Sequence, residues 1–523
     1  MPKPPYLITA ALALLAVAAA CLDRRPPVEE SVRLGEHVKG APKSFPAPDE
    51  AVHLIYWEKW NNFEGEAMQA CVNAFNAHSE EAWLWGHPER IEGAADRSAA
   101  PPRPGHVNAR RWAKYADATY RQGFLSPDGR RIHVHMLSVS QVNKKTRLAV
   151  SGGNPPDVAG LWSRDVPVFA QYNAALPLDD WIARDGPDPA EYHKCYWDMC
   201  VYEGRTWALL TTPATIALHW NKELFAAAGL DPERPPRTLE ELDEFNAKLT
   251  KRDAQGRIMQ MGFLPTEPGW WNYAWGNWFG GRHVSDDGRT ILCDTQPWLD
   301  AYAWLNRMAD FYGRSEVKAF QGAMGNFDSP ENGFISGKVA MVIQGVWMAN
   351  FIRNYNPSMS WGAAPFPAPA AAPGNPVTIA QADVLIVPRD CPHPEEAWRF
   401  VRFVNSRDEP NDPDAEIDGM EILCLGQGKH SPFKTATRAF LQDHPHERLQ
   451  VFVDLAASRH AIIEPLMPMW EEYRRACISS FEELWTKGHL EGHGPADVLS
   501  RLKARMQPKL DREWEKLDRL RAR

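Results

Sequence analysis

Apolar positions along the chain fall into short runs that alternate with amphipathic stretches, and the clearest run is 334–347, Phe-Ile-Ser-Gly-Lys-Val-Ala-Met-Val-Ile-Gln-Gly-Val-Trp. The pattern predicts a helix end at Gly337, a turn, and a buried strand over 339–343, because a glycine after a helix supplies the left-handed backbone and five successive apolar residues suit a strand covered on both faces. Gly345 then breaks the strand and allows close approach, while Trp347 offers a flat apolar face. Read alone, the segment is equally a core strand ending in a packed indole.

The same reading places strands at 52–57, 132–137, 157–162 and 216–220. A helix after the first strand carries Met68, Val72 and Phe75 on one face, Gly152 and Gly153 close another, and 166–172 is helical. Residues 202–210 form a turn at Gly204 and a strand; the helix after Trp220 stops at Gly229. Thr238 with Glu241 three residues on is a capping box, followed by Leu239, Leu242, Phe245 and Leu249 along one stripe. Ala397, Phe400 and Phe403 mark an amphipathic helix over 395–403, and helices dominate beyond Ser431. Strands alternating with helices imply an α/β chain with largely parallel sheets. Residues 84–129, poor in aliphatics, read as an insertion.

Trp270, Trp271, Trp275 and Trp278 crowd together with Gly269, Gly276 and Gly280 between and around them, a density that points beyond a helix core. His133 and His135 share a strand face, but two histidines on one strand are weak grounds for a metal, so no metal and no cofactor is expected.

Size then bounds the architecture: 523 residues with 44% hydrophobic and 24% charged suit a globular chain of two or more lobes. A net charge of −9 with signs interspersed excludes a nucleic-acid groove. At the N-terminus Lys3 precedes an apolar run over 6–20 and Cys21. That run is shorter than the roughly 20 residues a bilayer needs, so it reads as a secretory signal over 1–20. Ala18, Ala19, Ala20 and Cys21 resemble a lipobox, which implies lipidation of Cys21; the lipobox pattern prefers a larger aliphatic residue where Ala18 stands, and an ordinary secretory cleavage near the same alanines is the alternative. Residues 21–48, rich in proline and charge, read as a tether. The seven further cysteines are expected as buried free thiols, with Cys195 and Cys200 close enough in sequence for a bridge only if the chain turns between them.

Five motifs in order carry a resemblance: Gly152-Gly153-Asn154-Pro155-Pro156-Asp157-Val158; Trp220-Asn221-Lys222-Glu223-Leu224-Phe225 through Gly229-Leu230; Thr238-Leu239-Glu240-Glu241; Phe334 and Gly337-Lys338 through Trp347; and Trp361-Gly362-Ala363-Ala364-Pro365-Phe366-Pro367. Their order resembles the extracellular solute-binding proteins of carbohydrate ABC importers, related to maltose-binding protein. The resemblance implies a two-lobed periplasmic-binding-protein-like (class II) α/β fold, with an N-lobe from 49–213 and 368–426, a C-lobe from 217–361 and 430–523, and hinge crossings near 213–218, 361–367 and after 426. It implies a small-molecule carbohydrate ligand, an ABC importer permease as partner, a monomer anchored outside the cytoplasm through Cys21, and no chemistry. By position it implies ligand contacts from Trp60, Asn61 and Glu64 in the first strand-to-helix loop, from Trp162 and Asp165, and from Trp270 or Trp271, Trp347 and Trp470. Trp275 and Gly345 join them as neighbours of those indoles. Ala214 departs from maltose-type members, which carry a carboxylate there, and Asp383 could supply a replacement.

The residue types fit the ligand class. A pyranose has an apolar C–H face that an indole can cover and a rim of hydroxyls that Asp, Glu and Asn can meet. Two other classes stay open at this point: a secreted glycan hydrolase using two carboxyls, and a binding protein for a non-sugar solute that feeds a sensor receptor. No nucleophile elbow, zinc motif or phosphate loop supports chemistry.

Overall fold

The computed structural model describes residues 51–87, 90, 109–372, 374–465 and 467–521. Among them the chain forms two compact units, one from the described residues up to Leu161 with Ala174–Leu176 and Leu385–Ser406, the other from Trp162–Asn173, Pro177–Val384 and the residues from Arg407 onward. Residues 162–173, 177–213, 368–384 and 407–426, which the resemblance assigns to the N-lobe, fall in the second unit by this division.

In the first unit β1 (Ala51–Glu58) and β2 (Arg131–Ser138) run parallel with Ala51 opposite Arg131, and β3 (Val158–Trp162) runs parallel to β1 on its other side, Tyr56 opposite Val158. The helix Asn62–Gly86 makes the crossover and buries the expected Met68, Val72 and Phe75. Phe75 meets Phe400 and Phe403 of the helix Pro394–Val404 at centroid distances of 5.4 and 5.5 Å. The backbone of β2 is satisfied from the helix: Asn76 exchanges two hydrogen bonds with Val134 and Ser79 accepts from the Ile132 N–H. The described part of the insertion packs on the same helix. The Tyr115 hydroxyl lies 2.6 Å from His78 Nδ1 and 3.1 Å from Glu81, and Arg111 pairs with Glu81. Aromatic rings therefore do there what aliphatic side chains do elsewhere.

The second unit contains the hairpin β4 (Val201–Tyr202) and β5 (Arg205–Thr206), then β6 (Leu209–Asn221), thirteen residues buried throughout. β7 (Lys251–Arg252) is antiparallel to β8 (Ile258–Phe263), which is parallel to β9 (Val339–Gly345). β10 (Trp361–Ala364) and β9 both pair antiparallel with β6, and β11 (Thr378–Ile386) pairs parallel with β12 (Ala461–Ile462). The expectation of largely parallel sheets therefore holds in the first unit and fails here, because β6 lies antiparallel to two neighbours. The expected helix end before β9 is instead a series of turns: the Asn332 side chain accepts from the Phe334 and Ile335 N–H groups and diverts the backbone, and Gly337 takes φ +73°. The Thr238 hydroxyl caps the helix Leu239–Leu249 as expected, accepting from the Glu241 N–H at 3.2 Å.

All seven cysteines from Cys71 to Cys477 are buried and free. Cys195 and Cys200 sit at opposite ends of one short helix, Lys194–Cys200. No helix among the described residues is long and apolar enough to cross a membrane.

Candidate functional site

The second unit gathers most of the candidate residues. β9 ends at Gly345, and the ring of Trp347 folds back over it: a Cβ at Gly345 would lie 2.4 Å from the ring. The glycine is thus required by ring packing rather than by backbone conformation. Trp347 meets Trp270 at 6.2 Å and Trp271 at 6.1 Å between centroids, and Trp270 meets Trp271 edge-on at 6.1 Å. Trp271 is buried, Trp347 half-buried, and Trp270 45% exposed. The indole N–H groups of Trp271 and Trp347 are buried with no acceptor among the described residues.

The loop bearing Trp270 and Trp271 is tied down from outside. Gln321 donates to the Thr266 hydroxyl at 2.6 Å, Asn332 donates to Glu267 at 3.0 Å, and Gly269 takes φ +87°. Burial pushes the Glu267 carboxyl up to about 7, and the Asn332 hydrogen bond opposes that only in part.

Beside the rings runs a polar chain. Lys429 is 3% exposed, with Nζ 5.8 Å from the Trp347 ring centroid and 3.3 Å from the Thr212 hydroxyl. That hydroxyl donates to Asp383 at 3.4 Å. Thr212 comes from β6, Asp383 from β11, and Lys429 from the turn after the helix Met420–Gly426, where Gly428 has φ +61°. Asp383 is among the residues the sequence singles out; Lys429 is not, since a single lysine in an irregular segment carries no periodic signal.

Trp162, Asp165 and Trp470 lie in the same unit. The Arg164 guanidinium covers the Trp162 ring at 4.5 Å and reaches Glu471 at 3.6 Å, while Arg474 pairs with Glu471 at 3.1 Å. Burial raises the pKa of Glu464, against the pull of Arg164 and Arg474. Trp470 is 2% exposed and packs edge-on against Tyr273 and His283. The Gln381 amide lies 3.5 Å from the Tyr273 hydroxyl, which links this cluster to β11 two residues before Asp383. Asp165 is half-buried.

Trp275 needs correction. It is 1% exposed, with Trp304 at 5.6 Å and Phe366 at 6.0 Å, so its indole is core. The glycines around it make room for another ring: a Cβ at Gly276 would fall 2.1 Å from Trp298.

Trp60, Asn61 and Glu64 belong to the first unit, in and just after the loop that follows β1. Glu58 is fully buried and accepts from the Lys59 N–H at 2.6 Å, the Trp60 N–H at 3.4 Å and the Tyr56 hydroxyl. This anchors Lys59, whose Nζ lies 4.4 Å from the Trp60 ring centroid. Asn61 is exposed and accepts from Ser138 at 2.7 Å; Glu64 is half-buried. His133 and His135 are joined by His53 of β1, with His53 Nδ1 2.8 Å from His135 Nε2. No group of three or more His, Cys, Asp or Glu side chains among the described residues is arranged to hold a metal ion.

Chemically, the second unit presents flat indole faces, a carboxylate and an ammonium within one neighbourhood. Such a set can hold a solute that is apolar on one face and hydroxylated at its rim.

Residues 132–409 match the model of a family described as bacterial extracellular solute-binding protein. A binding protein of Brucella abortus (strain 2308) is 25% identical over 277 residues, which cover 51% of this chain and 62% of the relative. The chain thus spans about three fifths of that curated relative. Among solved structures, the chain resembles CpMnBP1 with mannobiose bound, with a TM-score of 0.63, 23% identity, and 87% of this chain and 99% of that one covered. It also resembles a cyclic α-maltosyl-1,6-maltose binding protein from Arthrobacter globiformis, with a TM-score of 0.62, 18% identity, and 88% and 100% covered. At these identities the likeness establishes the two-lobed α/β fold.

Proposed function

The chain belongs to the family of bacterial extracellular solute-binding proteins, and we propose that it captures a sugar or oligosaccharide outside the cytoplasm and delivers it unaltered to an ABC importer. The observation that carries this reading is the Trp270, Trp271 and Trp347 array beside the Asp383, Thr212 and Lys429 chain. Indoles cover the C–H face of a pyranose, and the polar chain meets its hydroxyls. We further propose contacts from Trp162 and Asp165 of the second unit and from Trp60, Asn61 and Glu64 of the first, whereas Trp470, like Trp275, is core. A structural neighbour with mannobiose bound and another that is a cyclic α-maltosyl-1,6-maltose binding protein support a saccharide as the class of solute.

The family belongs outside the cytoplasm. We extend this to a lipoprotein made with a signal over 1–20, anchored through Cys21 on a tether, and acting as a monomer; these residues lie outside the described ones. The lobes would follow 49–213 with 368–426 and 217–361 with 430–523.

Thermal-shift screening against mono- and oligosaccharides tests the reading, since a solute that binds only the folded chain raises its melting temperature by mass action. Binding without new reducing ends on prolonged incubation is expected. Release of reducing ends, or no shift with any saccharide, overturns it.

A further inference from the structure

The indole array does not stop at Trp270. The Trp270 ring meets Phe327 at 4.7 Å, Phe327 meets Phe351 at 5.1 Å, and Phe351 lies parallel to Tyr355 at 6.4 Å with 9° between planes. Counted from Trp347, five rings form an unbroken chain, all within the second unit. All five are at least partly accessible: Trp347, Phe327 and Phe351 are half-buried, and Trp270 and Tyr355 are 45% and 41% exposed.

An exposed apolar strip in a soluble chain marks a contact surface. This one is built of rings, and the segments that bear them carry exposed Asn326, Asp328, Arg353 and Asn354, so flat faces and hydrogen-bonding groups share one margin. It is also continuous with the indoles of the candidate site. Rings flanked by mixed polar groups suit a solute with alternating C–H faces and hydroxyls, and one arginine with one aspartate fits less well a lipid surface, which would call for a cluster of basic residues at the margin.

We propose that the strip from Trp270 through Phe327 and Phe351 to Tyr355 is an extension of the binding site that takes the further units of a linear oligosaccharide whose first units sit at Trp347. The substrate class is therefore an extended glycan chain rather than a monosaccharide. The inference rests on the sugar-binding reading above and adds chain length to it.

The test is calorimetric titration of the full chain with two probe series, linear β-1,4-manno-oligosaccharides and linear α-1,4-malto-oligosaccharides from the disaccharide to the hexasaccharide. The wild type and the variants Tyr355→Ala and Phe351→Ala/Tyr355→Ala are compared. Tyr355 is exposed, so its single variant stays informative if the double variant folds poorly. Wild-type affinity should rise with chain length in the series that binds. The double variant should lose about tenfold on the longest chains while its disaccharide affinity stays within about twofold of wild type. Affinity independent of length in the wild type overturns this extension and leaves the sugar reading standing. A loss equal at all lengths overturns the extension too, as does unchanged sugar binding accompanied by lost uptake, which would assign the strip to a protein partner. Failure of every saccharide to bind overturns both readings.

Discussion

A single methyl group at Gly345 tests the site most sharply. Its Cβ would stand 2.4, 2.5 and 2.6 Å from three ring carbons of Trp347. Carbon atoms prefer about 3.5–4.0 Å, so the ring must move by roughly an ångström or more. Gly345 is not among the positive-φ glycines, and the strand backbone accepts alanine without strain. Gly345→Ala therefore leaves the indole in the chain but displaces it from Trp270 and Trp271. Stacking and apolar coverage by one indole are worth on the order of 1.5–2 kcal/mol, a loss of about ten- to thirtyfold in affinity. Overpacking lowers stability by about 1–3 kcal/mol, visible as a modest fall in Tm. Trp347→Ala should lose similar affinity with no clash. The double variant should bind no more weakly than Trp347→Ala alone, because both changes act through one ring. Calorimetry with the sugar found by thermal-shift screening reads all three. Wild-type affinity in Gly345→Ala, or full additivity in the double variant, would refute the claim that the glycine exists to seat this ring at the ligand.

Further expectations concern titration and anchoring. Glu267 has a folded-state pKa of about 7 against an ordinary value of 4.5, so the fold favours its neutral form. That contribution is full below about 4.5 and is lost as pH rises towards 7, at a cost on the order of 2–3 kcal/mol. Glu267→Gln should accordingly raise Tm more at pH 8 than at pH 4.5, and equal shifts at both would sink the idea. Burial, with the nearby His135, His53 and Arg131, lowers His133 to about 3, and burial with the nearby His53 lowers His135 to about 4. The unfolded chain takes up these protons below about 6.5 and the fold does not until about 4, so stability falls by up to about 1.4 kcal/mol per pH unit per histidine over that window. Urea melts at pH 7 and pH 5 should show this, and His133→Gln/His135→Gln should shrink the dependence without abolishing it, since buried His219, His283 and His446 are lowered likewise; an unchanged dependence in the double variant would count against it. Cys21→Ser should move the protein from the membrane fraction to the soluble extracytoplasmic fraction, and an unchanged distribution would remove the lipid anchor.

How much was legible depended on whether the signal was local. The β9 strand, Gly337 with its left-handed backbone, the Thr238 cap and the Phe75 face could be read because spacing and residue type alone specify them. The antiparallel pairing of β6 could not, since strand direction is decided by partners far away in sequence. The misreading of Trp275 is instructive: Gly276 next to it opens space for the Trp298 ring, and a glycine admits a neighbouring side chain by the same geometry that would admit a ligand. Lys429 was invisible because its place is set by Thr212 and Asp383, more than two hundred and about fifty residues away respectively. Family motifs point to the candidate indoles, while the polar chain beside them emerges only from the assembled unit.

The energetics of that unit bear on why it should bind at all. Trp347 is already seated on Gly345 between Trp270 and Trp271, so little rotamer freedom remains to be lost when a solute arrives. Rings alone would hold any flat apolar molecule. Rings beside a carboxylate and an ammonium favour a hydroxylated one, because an alkyl or aromatic solute would take water from that polar chain and offer it no hydroxyl in return.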